Sequence, residues 1–258
     1  MPPHIETATE EHREGNITRI TLCNSAKLNI INSPLIASLT EAITTASADP
    51  KLRALILQGE GPSAFIGGAD IREMATLTPE AGRVFIVAVH GICTAIRACP
   101  VPVIARLQGY TLGAGLEIAA ACDIRVASQG ARFGMPETRV GVPSVIEAAL
   151  LPLLIGWGRT RRILFTGEIF DAATAEKWGF TEEVVPEAEL DAAIARITTD
   201  LLACGPRAIR LQKTLMNAWE ELPPSKAIAA GIDCFEASLR ADEPNRMMAA
   251  FLAKKQNG

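Results

Sequence analysis

The chain predicts an α/β fold, with a strand-and-helix core over residues 1–190 and a helical region over residues 191–258. Three observations carry this. Short apolar strand-like runs alternate with helical patterns through the first half, a rhythm that favours a largely parallel sheet with right-handed crossovers. Glycine- and alanine-rich turns sit between strand and helix at Ala64-Phe65-Ile66-Gly67-Gly68-Ala69-Asp70 and at Gly109-Tyr110-Thr111-Leu112-Gly113-Ala114-Gly115-Leu116-Glu117. Beyond Pro143, helix signals dominate to the end.

Residues 1–15 read as a frayed start, and Ile17 to Leu22 as the first strand. Ser33-Pro34 reads as a helix start, with serine capping and proline in the first turn; Leu35, Ile36, Leu39 and Ile43 then share one face. Asp49-Pro50 stops that helix, and Ala54 to Leu57 is a short buried strand. Thr78-Pro79 repeats the capped start for a long helix to about Cys99, which Pro100-Val101-Pro102 breaks. Val103 to Leu107 is the next strand, Leu116 to about Cys122 a short helix, and Asp123 to Ala127 a further strand. Asp171 caps a helix closed by Gly179. Glu187 to Ala203, Pro206 to Leu222 and Ser225 to Arg240 complete the helical region, which needs a face or a partner subunit to pack on.

The 258 residues are 48% apolar, enough for a large core. A net charge of −4 argues against a nucleic-acid surface. Apolar stretches are interrupted before a membrane-spanning length, and Met1-Pro2-Pro3-His4 lacks the basic flank and apolar run of a secretory signal. A cytoplasmic location is the default expectation. The six cysteines form no C-x-x-C pair and sit mostly in apolar surroundings, where thiols act as small hydrophobes. With three histidines, of which only His90 lies on a helical segment, a metal site is not expected.

The chemistry lies in the middle of the chain. The turn before Glu117 follows a strand and opens a helix, but it departs from the dinucleotide fingerprint, and Glu117 would repel a pyrophosphate. Ala114 instead stands at a helix mouth, where N–H groups are unpaired and the dipole favours negative charge. Ala69 follows its own turn in the same way. Such amides can hold a developing oxyanion, or the small residues can merely permit close packing. Glu117, one helical turn past Ala114 in an apolar helix, needs a partner or a purpose; Arg125 and Arg139 are the candidates for a structural salt bridge. Glu137 follows Pro136 in a turn within Phe133-Gly134-Met135-Pro136-Glu137. Two adjoining carboxylates would supply one acid and one base at neutral pH.

These residues resemble the crotonase superfamily, the enoyl-CoA hydratase/isomerase family. The similarity runs from about Ile17 to Pro186 and is strongest over Ala64–Met74, Pro100–Ser128 and Phe133–Glu137. It implies a superhelical core of ββα units, a C-terminal helical region that builds trimers, and pairing of trimers into hexamers. It implies that Ala69 and Ala114 N–H groups hold a thioester oxygen. Glu117 and Glu137 fill both positions that hydratases fill with glutamate, Glu117 activating water and Glu137 protonating C2. The segment Ala26, Lys27 and Leu28, with Gly67, Asp70 and Ile71, matches positions around coenzyme A, which enters as the substrate's carrier; no cofactor is implied.

The chain leaves the family pattern at Gly141-Val142-Pro143-Ser144-Val145-Ile146-Glu147, where a glycine-rich stretch is usual. Ser144 stands near a glycine position, the loop is one residue shorter, and Glu147 is an added carboxylate, read as a helix first-turn charge or as part of the acyl pocket. The resemblance thus implies hydration of an enoyl-CoA, with a Δ3,Δ2-enoyl-CoA isomerase, or an enzyme of an unusual acyl-CoA, as the catalytic alternative. An RNA-binding relative is the other alternative, disfavoured because Pro34 to Ser47 holds no lysine or arginine.

Overall fold

The computed structural model describes residues 2–256, and side chains through Ala253. Met1, Asn257 and Gly258, the outermost residues of the two expected regions, lie outside the described residues. The strands are β1 (His4–His12), β2 (Gly15–Cys23), β3 (Leu52–Gly59), β4 (Ala64–Ile66), β5 (Val103–Leu107), β6 (Tyr110–Leu112), β7 (Ile124–Ser128), β8 (Arg132–Gly134), β9 (Ile169–Asp171) and β10 (Glu183–Val185). The helices are α1 (Ser33–Ser47), α2 (Ile71–Met74), α3 (Pro79–Ala98), α4 (Ala114–Ala121), α5 (Leu151–Ile155), α6 (Trp157–Thr166), α7 (Ala172–Trp178), α8 (Leu190–Ala203), α9 (Pro206–Glu221), α10 (Pro224–Ser238) and α11 (Glu243–Gln256).

Two sheets share the work. A six-stranded sheet runs β1-β2-β3-β5-β7-β10 and a four-stranded sheet runs β4-β6-β8-β9. Each ββα unit sends its first strand to the large sheet and its second to the small one: β3 then β4, β5 then β6, β7 then β8. The pairs β2·β3, β3·β5, β5·β7 and β7·β10 are parallel, as are β4·β6 and β6·β8. The result is the α/β superhelix with a helical C-terminal region.

The start of the chain differs from the expected frayed segment. β1 pairs antiparallel with β2 from His4↔Cys23 to His12↔Gly15. Its side chains are exposed almost throughout, so no apolar alternation marks it as a strand. The cap of α1 is also one residue earlier than expected: the Leu35 N–H donates to Asn32 Oδ1 at 3.2 Å. Ser33 is taken instead by Glu73, which accepts from both its N–H and its hydroxyl.

Apolar residues of α1, α3 and α4 meet one face of the large sheet in the main core, including Leu39, Ile43, Val89, Ile96, Leu116 and Leu57. By length and composition α3 could cross a membrane. Its stripe of Phe85, Val89, Ile92, Cys93 and Ile96 is instead buried in this core. The other face of the sheet is covered by α8, whose Leu190, Ala193 and Ile194 pack on Ile17, Ala54, Ile56, Ile104 and Val126.

Two buried cations fasten the C-terminal helices. Arg53 on β3 donates to the carbonyls of Leu201 and Cys204 at 2.8 and 2.7 Å, satisfying the open end of α8. On α9, Lys213 Nζ donates to the Ile96 and Val101 carbonyls and to Asp123 Oδ2, at 3.1, 2.9 and 2.7 Å. These anchors set the end of α3 and the α4–β7 connection, the frame around the site.

Candidate active site

Ala69, Ala114 and Glu137 follow the carboxyl ends of β4, β6 and β8, three neighbouring parallel strands. Ligand crevices of open α/β sheets form at such strand ends. The two glycine turns therefore lie side by side. A β-carbon on Gly115 would collide with the Ile66 carbonyl, and one on Gly68 would come within 3.4 Å of the Leu112 carbonyl.

Both candidate amides are left over by the backbone pairing. The bridge between Ile31 and Ala69 is closed by Ile31 N–H to the Gly68 carbonyl and Asp70 N–H to the Ile31 carbonyl, at 2.9 and 2.8 Å; neither bond uses the Ala69 N–H. Ala114 is the first residue of α4, a position whose N–H has no partner within the helix. Gly113 precedes it at φ 52°, ψ −123°, a conformation that glycine adopts without strain.

Glu117 stands on the first turn of α4 and is only 3% exposed. Neither Arg125 nor Arg139 reaches it, so the structural salt bridge, the alternative to a functional Glu117, does not form with either candidate. Arg125 pairs with Glu182 at 2.5 Å and donates to the Cys122 and Phe180 carbonyls at 2.6 Å each; Arg139 donates to the Thr166 carbonyl at 3.0 Å. Glu117 Oε1 instead accepts from the Ala148 N–H at 3.3 Å. Burial, and then the charge of Glu137, push the Glu117 carboxyl up to about 8, against the opposing pull of that N–H.

Glu137 lies in a 3-10 turn, Pro136–Val140. It lies over Gly113, and its Oε2 accepts from the Ser144 hydroxyl at 2.9 Å. Burial raises its carboxyl above the usual range despite that bond. The two glutamates thus form an electrostatically linked pair at the mouth of α4, suited to moving protons at neutral pH.

Glu147 is more than a first-turn charge. It is buried, and its Oε1 lies 2.7 Å from Nδ1 of half-exposed His90 on α3. Its Oε2 is buried with no hydrogen-bond partner among the described residues; the Cys93 thiol is the neighbouring donor. Cys93, also on α3, is pushed well above its usual range by burial and then by Glu147. Among the described residues no group of three His, Cys, Asp or Glu side chains is placed to hold a metal ion.

The positions matched to coenzyme A also converge in part. Ser25–Lys27 form a 3-10 turn, with Ala26, Lys27 and Leu28 exposed. Gly67 N–H donates to the Leu28 carbonyl at 2.8 Å, and a β-carbon on Gly67 would meet that oxygen at 2.7 Å. Asp70 caps α2, its Oδ1 accepting from Arg72 N–H at 2.9 Å, and Ile71 is exposed beside it. Asn29 holds this corner and was not legible as a functional residue. Leu28 and Asn29 sit at φ 54° and 53°. The buried Asn29 side chain accepts from Asn24 N–H at 3.0 Å and donates to the Glu60 and Ala64 carbonyls at 3.0 and 2.7 Å. An asparagine closing the short Asn24–Leu28 stretch was the available signal, since Asn tolerates the left-handed region.

Comparison with known proteins gives a consistent picture. A family model described as enoyl-CoA hydratase/isomerase matches residues 12–258. A crotonyl-CoA hydratase of Syntrophomonas wolfei is 31% identical over 245 residues, covering 95% of this chain and 94% of that protein. The mitochondrial methylglutaconyl-CoA hydratase of Homo sapiens is 30% identical over 232 residues, covering 88% and 68%. The crystal structure of an enoyl-CoA hydratase from Mycobacterium smegmatis matches with a TM-score of 0.91 at 27% identity, covering 96% of each chain.

Proposed function

The chain belongs to the enoyl-CoA hydratase/isomerase family, and from that premise we propose that it adds water reversibly across the C2–C3 double bond of a trans-2-enoyl-CoA, giving a 3-hydroxyacyl-CoA. The observation that carries this reading is the pairing of Glu117 and Glu137, both raised by burial, beside the unpaired amides of the β4 and β6 turns.

In this reading the thioester oxygen sits between the Ala69 and Ala114 N–H groups. There they stabilise the enolate-like charge that develops when oxygen attacks C3; one such donor is worth about 3–4 kcal/mol of barrier. Glu117 takes a proton from the attacking water and Glu137 delivers one to C2, as the family resemblance assigns. The chemistry needs one proton on the pair. Linked carboxylates with raised pKa values supply that state near neutrality, and they titrate as a unit. In the substrate-free site Glu117 carries the raised value of about 8, and the assigned roles need the shared proton on Glu137 when water attacks. Ala26, Lys27, Leu28, Gly67, Asp70 and Ile71 would flank the nucleotide end of coenzyme A, whose remote contacts orient the acyl group. No further cofactor is called for.

The proposal extends to assembly. On α10 and α11, Ile228, Ile232, Phe235, Phe251 and Leu252 are exposed, an apolar surface of the kind that subunit contacts cover. We assign the region 191–258 to packing within a homotrimer, or a hexamer of paired trimers, in the cytoplasm.

The test is loss of enoyl absorbance with crotonyl-CoA, in the wild type and in Glu117→Gln. Hydration by the wild type and a large loss in the variant are expected. Unchanged turnover in Glu117→Gln would remove the assigned base.

A further inference from the structure

The short turn that departs from the family pattern touches both catalytic candidates. At one end the Ser144 hydroxyl donates to Glu137 Oε2 at 2.9 Å. At the other the Ala148 N–H is shared between the Val145 carbonyl at 2.9 Å and Glu117 Oε1 at 3.3 Å. Between them Ile146 sits at φ 36°, a region that a β-branched residue enters only under constraint. Glu147 follows, pinned to His90 Nδ1 at 2.7 Å, while His90 Nε2 lies 3.3 Å from Thr94 Oγ1 on the same helix.

This pair is a poor stabilising device. Glu147 is buried, and its Oε2 has no hydrogen-bond partner among the described residues beyond the weak thiol donor of Cys93; a buried carboxyl so poorly paired is usually worse for stability than an apolar residue of similar volume. What the pair does achieve is location. It ties the residue next to the Glu117 donor to α3, which packs against the turn.

We propose that His90 and Glu147 are positioning residues: they clamp the Ser144–Ala148 turn to α3, so that its two ends hold Glu137 and Glu117 in one working geometry. The role deepens the hydratase reading and rests on it for its kinetic consequence. The clamp itself makes a claim about the resting protein that does not depend on turnover. The ionisable side chains that act on Glu117 are Glu137 from the 3-10 turn after β8, Glu147 from the clamped turn itself and Cys93 from α3, with His90 of α3 against Glu147.

The experiment compares His90→Ala, His90→Asn and Glu147→Leu with the wild type. Two readouts are taken on protein shown to be folded: steady-state kinetics on crotonyl-CoA, and the Glu117 carboxyl titration in substrate-free protein by infrared difference against Glu117→Gln. In His90→Ala kcat should fall about tenfold or more while KM stays within about twofold, since misplacement of a catalytic group by less than an ångström has effects of this size. Its Glu117 titration should move upward as the Ala148 N–H withdraws. Asparagine can offer a donor where Nδ1 stood, so His90→Asn should recover most of both. Wild-type kinetics and an unmoved Glu117 titration in folded His90→Ala would overturn the clamp. If His90→Ala does not fold, a wild-type kcat in folded Glu147→Leu, which cannot bond to His90, overturns it equally; kcat decides there, because loss of the Glu147 charge shifts the Glu117 titration by itself. A wild type that fails to hydrate crotonyl-CoA sinks the hydratase reading but leaves the titration readout to decide the clamp.

Discussion

Glu137 Oε1 stands 2.5 Å from the point that a β-carbon on Gly113 would occupy. The carboxylate therefore rests on the bare Cα of the residue that opens α4, which joins the proton-transfer pair to the amide turn. Gly113→Ala should displace Glu137 and strain a backbone held at φ 52°. We expect kcat/KM to fall on the order of 100-fold, the scale of a misplaced catalytic group. The strain should remove about 1–3 kcal/mol of stability. Kinetics on crotonyl-CoA and a urea titration check both. A folded, fully active Gly113→Ala protein would show that Glu137 does not work from this position.

Glu117 makes the fold less stable than it need be. Its carboxyl titrates near 8 in the folded protein against an ordinary value of 4.5, so the folded state binds the extra proton between these values. A raised folded pKa means that the stability linked to this group is present at low pH and is lost as pH climbs through that window. Glutamine does not titrate. Glu117→Gln should therefore lie within about 1 kcal/mol of the wild type at pH 5 and exceed it by about 4 kcal/mol more, on the order of the full shift, at pH 9. Thermal midpoints of both proteins at the two pH values test this. A gap that does not widen with pH contradicts a buried, charge-linked Glu117.

Asn29 supports the corner where Leu28 meets Gly67. Alanine there removes three hydrogen bonds made by a buried side chain and leaves two carbonyls and one N–H to find new partners, a loss of about 2–4 kcal/mol. The exposed Ala26–Leu28 segment should lose its fixed path. If this segment flanks coenzyme A, KM for the acyl-CoA should rise about fivefold or more with kcat little changed, the pattern of lost uniform binding. A destabilised Asn29→Ala protein with unaltered KM would detach this corner from substrate binding.

Much of this arrangement was legible in the chain because it rests on local rules. Thr78-Pro79 opens α3 and Asp171 with Gly179 brackets α7 as capping predicts. Leu35, Ile36, Leu39 and Ile43 face the core at helical spacing. The unread parts obey no local period. β4, β6, β8 and β9 have three residues each, too short for alternation to show, and they exist because neighbouring ββα units align. The long helix α3 is apolar enough to mislead on composition, and only packing fixes its surroundings. Within the site, Glu117, Glu137 and the two alanines announce themselves by sitting after glycine turns. The His90–Glu147 contact joins residues 57 positions apart, and no spacing rule connects them.

The two carboxyls should leave their mark on the pH dependence of turnover. Hydration needs the pair to carry one proton, so kcat/KM should rise as the first proton leaves and fall as the second does. The first step lies above the ordinary 4.5, because burial raises Glu137 as well as Glu117. The second lies near 8, where Glu117 gives up its proton. The expected profile is a bell whose alkaline limb falls near that value. Glu137→Gln removes the second largest cause of the Glu117 shift, the neighbouring carboxylate, so the Glu117 titration in that variant should move downward, and infrared measurement of its carboxyl band would follow it. Burial, the larger cause, remains, so the value should stay above the ordinary carboxylate range. A flat profile between pH 6 and 10, or a Glu117 titration indifferent to Glu137→Gln, would mean that the two glutamates do not share a site.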